Sequence, residues 1–295
     1  MIYRFIFQHR KEFRIVKMCT VLNVSKSGYY KWVNKKESPR KKQKSWMMAK
    51  IRGLFFQNRE VYGSPRITRE LHKDGLLISE KTVGRYMREM GLCAIPEQRF
   101  VVTTDSKHNQ PIYPNLLNRE FNPAKSNQVW VTDITYIWTL QGWLYLATVM
   151  DLFSRKIVGW SLNTTMTKEL PLQALNRAIN QRKPPDGLIH HSDRGSQYTS
   201  SDYIARLKEC NMEISMSRKG NCYDNACMES FFATLKKELV YRRKFASREE
   251  ATKEIWTYIM SFYNERRSHS KLGYVSPNEY ERSNTKKQIN DKKAA

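Results

Sequence analysis

Three acidic residues between positions 133 and 229 have neighbours that suit metal-dependent chemistry. Asp133 interrupts the β-prone run VWVTDITYIW, and Asp193 ends the short run LIHHSD immediately before RGSQY. Glu229 lies within CYDNACMESFFATLKKEL, where a helix would turn a continuous apolar face to a core. That face consists of Met228, Phe231, Phe232, Leu235 and Leu239. Glu229 would lie at its edge, on the same side as Lys236 two turns later.

The free-energy cost of placing the Asp133 carboxylate among apolar side chains must be compensated. Val129, Val131 and Ile137 would share its face of the strand, and an unpaired carboxylate among apolar neighbours costs several kcal/mol. A divalent cation with oxygen ligands would offset that cost. Taken singly, each acid also has a purely structural interpretation: a loop cap for Asp133, an Asx turn for Asp193, a solvated helical residue for Glu229.

Asp151, at the end of the next strand, is the leading substitute if Asp133 or Asp193 is not part of the cluster. His190 and His191 are expected to pack or to support the site rather than to transfer protons, since metal-activated water removes that need. Asp224 and Asn225 are expected to order the turn before the helix of Glu229. Two further predictions concern aromatic and polar side chains. Ser196, Gln197 and Tyr198 are candidates to line a DNA path, and Trp130, Trp138, Trp143 and Trp160 are expected to be core and rim aromatics rather than base-stacking platforms.

The elements that must position these acids follow from periodicity. Three β-prone segments, VWVTDITYIW, LYLATVMDLF and KIVGWSLN, come in quick succession and predict an antiparallel meander. Helical and β-prone segments then alternate up to the helix of Glu229. This order is typical of an α/β fold with an RNase H-like mixed sheet flanked by helices. A final helix is predicted from about residue 248 to 263, followed by a lysine-rich tail.

Two helix-turn-helix units are predicted before this core. The first breaks at Asn23 and Val24, with its second helix capped by Ser25 or Ser27. In the second unit, Ser64 and Ser79 are the expected N-caps and Gly75 and Gly91 the expected stops. Its second helix would present Lys81, Arg85 and Arg88 to DNA. Between the units lies a lysine-rich linker, NKKESPRKKQKSW, in which Pro39 is expected to interrupt any helix.

Composition supports a nucleic-acid partner. The 295 residues carry a formal net charge of +24, and residues 1–125 hold 26 Lys and Arg against 10 Asp and Glu. Five scattered cysteines, without a second pair at zinc-site spacing, indicate reduced thiols. No signal peptide or membrane span is predicted. These features favour a cytoplasmic, nucleoid-associated protein.

At this point the three acidic motifs resemble those of the DDE transposases. VWVTDITYI, HHSDRGSQY and DNACMESFFATLKKEL are similar to the carboxylate motifs of the second-reading-frame (OrfB) proteins of bacterial insertion sequences, whose catalytic layout is that of retroviral integrases. The 35 residues between Asp193 and Glu229, and Lys236 seven residues after Glu229, match that group. YNERRSHSKLGYVSPNEY resembles its closing motif. Unlike integrases, the chain has no His-His-Cys-Cys zinc module before the core, and helix-turn-helix units stand there instead.

The resemblance implies a reaction and a set of partners. The chain would cleave DNA at the ends of an insertion sequence and transfer the freed 3′-OH to target DNA, using two Mg²⁺ ions, or Mn²⁺ in their place, held by Asp133, Asp193 and Glu229. Lys236 would contact DNA. Double-stranded DNA, comprising terminal inverted repeats and target, a second copy of the chain, and the upstream-frame product as a fusion are the implied partners. An RNase H-like endonuclease without strand transfer and a non-enzymatic DNA-binding regulator are the alternatives.

The corresponding domain boundaries are predicted as follows: a helix-turn-helix with basic linker over 1–45, a second helix-turn-helix domain over 46–99, a linker over 100–125, the catalytic core over 126–245, and a C-terminal helix with basic tail over 246–295.

Overall fold

The structure is a computed structural model that describes residues 1–34, 38–94, 111–218 and 222–294. The first part of the predicted 100–125 linker, up to residue 110, lies outside the described residues. None of the helices in these ranges is long and apolar enough to cross a membrane.

The N-terminal region is helical. Its elements are α1 (Ile2–Gln8), α2 (Ile15–Val21), α3 (Lys26–Val33), α4 (Pro39–Gln57), α5 (Ser64–Lys73) and α6 (Glu80–Glu89). The predicted break between α2 and α3 is confirmed, since Asn23 has a φ of 51° and the Ser25 hydroxyl accepts from the Gly28 amide. Ser79 caps α6 in the same manner, accepting from the Thr82 amide. α5 begins one residue earlier than expected, with Gly63 as N-cap and Ser64 as its first residue.

The prediction for Pro39 was wrong. Rather than interrupting a helix, Pro39 begins the 19-residue α4, with Ser38 as N-cap. The physical reason is that the first turn of a helix needs no donor from the proline nitrogen, and the fixed φ of proline suits that position. The basic residues of the expected linker are therefore helical, and α4 packs on α5 and α6 through Ile51 and Phe55.

A five-stranded mixed sheet forms the second region. Its strands are β1 (Val129–Thr139), β2 (Gly142–Asp151), β3 (Lys156–Asn163), β4 (Ile189–Ser192) and β5 (Glu213–Met216), in the spatial order β3-β2-β1-β4-β5. The first three pair antiparallel, as the meander predicted, and β4 and β5 add in parallel. The helices around the sheet are α7 (Glu169–Arg182), α8 (Ser201–Glu209) and α9 (Ala226–Glu238). This arrangement confirms the predicted RNase H-like architecture.

The chain after the sheet contains more helical structure than the sequence predicted. α10 (Arg248–Thr257) continues into a π-helical turn over Tyr258–Tyr263, and a further helix, α11 (Pro277–Ala294), occupies the expected basic tail. α11 belongs to the core, because Glu281 forms ion pairs with Arg182 at 2.6 Å and with Lys156 at 3.3 Å. The sequence contains few apolar residues there, so no hydrophobic stripe indicated that it would dock.

Candidate active site

α9 carries Glu229 along one side of the core. All five residues of the predicted apolar stripe on this helix are buried in the main hydrophobic cluster, where they meet the face of the sheet that contains Val131 and Ile137. This packing confirms the helical periodicity read from the sequence. It also leaves the opposite edge of α9, with Glu229, exposed to solvent.

Asp133 lies in the middle of β1, on the face that packs against α9. One of its oxygens accepts from the following amide, that of Ile134, at 2.8 Å. Burial raises the pKa of Asp133 well above its usual range, and the negative charges of Asp193 and Glu229 raise it further. The carboxyl group therefore has the environment that the sequence predicted for it.

Asp193 follows β4 and shapes the turn after it. Its Oδ1 accepts from the Gly195 amide at 2.9 Å, which is the Asx-turn geometry that the sequence offered as the structural alternative. The negative charge of the same carboxylate contributes more than that of Glu229 to the raised pKa of Asp133. A turn role and a role beside Asp133 are thus compatible in this fold.

Lys236 behaves differently from a solvated helical lysine. Only 8% of the residue is exposed, and its Nζ lies 4.6 Å from the centroid of the Tyr136 ring. Its positive charge lowers the pKa of Asp133, and burial lowers the pKa of the Lys236 ammonium itself. Lys236 therefore supplies positive charge that partly offsets the negative charges of the three acids in this structure.

The three predicted acids share one electrostatic environment but do not form a closed metal cage. In the described ranges, no set of three or more His, Cys, Asp and Glu side chains lies close enough to hold a metal ion. Repulsion between carboxylates is the physical reason to expect an open arrangement when no cation is bound. The donor chemistry does fit a hard divalent cation, because carboxylate oxygens are the ligands that such ions prefer.

Two residues just before α9 position that helix, as expected. The Asn225 side-chain amide donates to the Thr132 carbonyl at 3.1 Å, which joins the start of α9 to the residue before Asp133. Asp224 is fully buried and accepts from Arg218 and from Arg119, and these bonds hold its pKa well below its usual range. The Arg119 contact also ties the segment before β1 to this corner.

The other sequence candidates have structural roles. Asp151 is fully buried and bound by Arg182 at 2.9 Å and by the Asn127 and Phe153 amides, so it is committed to holding the end of β2 and does not replace Asp133. The Asp151 alternative is thus excluded by its partners.

The two histidines and Tyr198 are buried side chains that pack within the core. His191 bonds to the hydroxyls of Ser215 and Ser217, and burial lowers the pKa of His191 to about 4 and that of His190 to about 3. Both rings are neutral packing groups at neutral pH. Tyr198 is buried with its hydroxyl 3.4 Å from that of Thr132, so it does not line an open DNA path.

The four tryptophans for which a position was predicted lie in the core or at its rim, as expected. Trp130 is fully buried and Trp160 packs against the core, whereas Trp138 and Trp143 are exposed at the rim.

Lys81, Arg85 and Arg88 are all exposed along one side of α6, opposite its buried residues Val83 and Met87. Their spacing is compatible with contact to a DNA backbone.

Comparison with known proteins matches the helical N-terminal region and the sheet region to known domain families. Residues 123–222 and 210–277 match integrase core domain families, and residues 42–100 match an HTH-like domain. The chain is 46% identical over 260 residues to a protein of 31 kDa from insertion element IS600 of Shigella sonnei, covering 88% of this chain and 96% of that one. It is 42% identical over 284 residues to the transposase InsF of insertion sequence IS3A from Escherichia coli strain K12, covering 96% and 99%.

A solved structure is more distantly similar. The catalytic core domain of HTLV-2 integrase, solved with magnesium, aligns with 52% of this chain and 96% of its own at 18% identity and a TM-score of 0.40.

Proposed function

Because this chain belongs to the family of transposases encoded by IS3-type insertion sequences, we propose that Asp133, Asp193 and Glu229 together form its catalytic centre. The chain is a DDE-type transposase with an integrase core domain, which argues against both a stand-alone nuclease and a non-enzymatic regulator. The observation that carries the assignment is geometric. Parallel pairing of Val131 with His191 places Asp133 and Asp193 two residues further along neighbouring strands, and the Asn225 amide bonded to the Thr132 carbonyl brings the start of the helix of Glu229 to the same strand.

Divalent cations are the cofactors that this group of residues suits. Asp133, Asp193 and Glu229 would hold two Mg²⁺ ions, with Mn²⁺ as a substitute, and when bound these ions supply a deprotonated water and a stabilised leaving oxygen. The chain's own residues orient the site. Asn225 anchors the start of α9 to β1, and the buried Lys236 supplies positive charge beside Asp133.

The proposed substrate is double-stranded DNA. The HTH-like domain supports DNA binding, and Lys81, Arg85 and Arg88 are its candidate phosphate and groove contacts. Lys236 is a further candidate, which would reach DNA by leaving Asp133 once cations neutralise the carboxylates. Since the substrate is chromosomal DNA, we expect the protein to act in the cytoplasm at the nucleoid.

The proposed reaction joins two DNA ends to a target, so the working complex requires more than one active site. We therefore expect a homo-oligomer on DNA, recognising terminal inverted repeats. A fusion with the upstream-frame product is the second form in which we expect the catalytic chain to act.

Labelled element ends incubated with target DNA and Mg²⁺ test the proposal. Asp133→Asn, Asp193→Asn and Glu229→Gln should each abolish cleavage and joining while binding of the end DNA is retained. Asp186→Asn, which neutralises an exposed acid on the loop before β4, is the matched control and should leave both steps unchanged. Cleavage by any of the three variants would remove that residue from the centre, and cleavage without joining by the unchanged protein would contradict strand transfer.

A further inference from the structure

An aromatic cavity opens at the free edge of β1, beyond the three carboxylates. In the described part of the chain, β4 pairs with β1 only over residues 129–131, and the far end of β1 meets the chain that follows α9. There Thr139 forms a bridge with Phe245, and the Leu140 amide donates to the Phe245 carbonyl at 3.0 Å. The cavity between these segments has a volume of about 460 Å³, within the usual range for ligand pockets of roughly 300–1,000 Å³.

Five aromatic side chains line this cavity, and three of them, those of Trp138, Trp143 and Tyr241, are exposed to solvent. Trp138 is 55% exposed and Tyr241 54% exposed. Trp138 packs edge-on against Trp143 at a centroid distance of 4.8 Å, and Tyr136 meets Trp143 at 5.1 Å. The Arg248 guanidinium donates to the Trp143 carbonyl, which fixes the tip of the β1–β2 hairpin that carries these rings.

The charge of the lining has a single sign. Lys236, Arg243 and Lys244 contribute cations, and none of the residues lining the cavity is acidic. Arg243 and Lys244 are exposed and Lys236 is buried, and Arg243 is paired with Glu254, which does not line the cavity, at 3.2 Å. Flat aromatic faces combined with cations match a nucleobase and its flanking phosphates, because bases stack on aromatic rings while phosphates require positive charge.

The cavity lies one side chain away from the carboxylates. Lys236 is common to both, since it lines the cavity, lies over the Tyr136 ring and acts on Asp133. The cavity and Asp133 are therefore connected through Lys236 and through β1, the strand that carries Asp133, Tyr136 and Trp138. The sequence alone gave no sign of this, since Trp138 and Trp143 were expected to be rim aromatics without a stacking role.

We propose that this cavity binds an unstacked base of a single-stranded DNA segment, with the adjacent phosphates on Arg243 and Lys244. The inference deepens the proposed function, because it names the form of DNA that the site takes next to the carboxylates. Its physical basis is independent of the triad, since stacking and phosphate contacts do not need the metal ions.

The test compares binding of two labelled probes to the full chain in EDTA, which prevents cleavage. One probe is a blunt duplex, and the other is the same duplex with a short 3′ single-stranded extension. The unchanged protein should bind the extended probe about tenfold more tightly, in line with the loss seen when aromatic platforms for bases are removed. Trp138→Ala and Tyr241→Ala should abolish that preference and leave affinity for the blunt duplex unchanged.

Trp256→Ala is the matched control. Trp256 is 51% exposed on α10 and does not line the cavity, so its removal should preserve the preference for the extension. The proposal is overturned if the unchanged protein binds both probes equally, or if Trp138→Ala keeps the preference. It is also overturned if Trp138→Ala alters only the oligomeric mass in light scattering, since the cavity would then be an interface between copies of the chain.

Failure of the catalytic assignment gives a different result. Glu229→Gln should retain the preference for the extended probe while it fails to cleave. If Glu229→Gln cleaves normally and Trp138→Ala still loses the preference, the triad is wrong and the base-binding cavity stands.

Discussion

Replacement of Glu238 by Gln should destabilise the protein more than any comparable change to a surface acid. Glu238 is buried at the end of α9, the helix that carries Glu229 and Lys236. Its two oxygens accept from the Arg267 guanidinium at 2.9 and 2.8 Å, and one also accepts from the Tyr258 hydroxyl at 2.7 Å. Arg66 of the HTH-like domain lies 3.8 Å away.

The magnitude follows from what the substitution leaves behind. Arg267 is itself buried, and Glu238 raises the pKa of its guanidinium, so Glu238→Gln leaves a buried cation without its counter-ion. Loss of one partner from a buried ion pair costs about 3–5 kcal/mol. That is a large part of the total stability of a globular protein, which is roughly 5–15 kcal/mol. Because Arg66 and Tyr62 join the HTH-like domain at this point, its docking should weaken as well.

Urea unfolding followed by tryptophan fluorescence measures the effect. Glu265→Gln is the matched control, because Glu265 pairs with the exposed Arg282 at 2.8 Å; an exposed pair of this kind contributes less than about 1 kcal/mol. Adding Arg267→Met to Glu238→Gln removes the stranded charge and should restore stability in part. A loss from Glu238→Gln no larger than that of the control would refute the reasoning, as would a double variant less stable than Glu238→Gln alone.

Three further predictions concern stability. Gly159→Ala should destabilise by at least about 1–3 kcal/mol, since a Cβ there would lie 2.2 Å from the Ala174 carbonyl oxygen on α7. Gly53→Ala, in the exposed middle of α4 with nothing nearby, should instead stabilise by about 0.5–1 kcal/mol, and thermal unfolding of the pair checks the contrast. Burial, with Arg267 and Arg155 nearby, lowers the pKa of His269 to about 3, so between that pH and about 6.5 the unfolded chain binds a proton that the folded chain excludes. Stability should therefore fall as the pH is lowered through this window, and His269→Gln should reduce the difference in urea midpoint between pH 7 and pH 5; an unchanged difference would show that His269 does not contribute.

Local patterns were sufficient for most of the secondary structure. The alternation of VWVTDITYIW predicted both the strand and the face on which Asp133 lies, because successive side chains in a strand point to opposite sides. The spacing of Met228, Phe231 and Leu235 predicted the buried side of α9 for the analogous reason in a helix. Ser25 and Ser79 were correctly predicted as caps, since a side-chain oxygen at that position satisfies an amide that the helix leaves free.

Features that depend on distant partners were not predictable. α11 docks through the ion pairs of Glu281 with Arg182 and Lys156, which are about one hundred residues away or more along the chain. The prediction for Pro39 was wrong because a proline can either interrupt a helix or begin one. Ser38, which caps α4 immediately before Pro39, marks the second case.

The sequence by itself determined the family, the order of strands and helices, and the three acids proposed for catalysis, because these depend on residue type and spacing along the chain. Only the tertiary structure decided that Asp151 is held by Arg182, that Lys236 lies buried beside Asp133, and that exposed aromatic rings and cations meet at the open edge of β1. Those relations arise where segments far apart in sequence pack together, and charge and burial at such contacts depend on the three-dimensional arrangement rather than on local pattern.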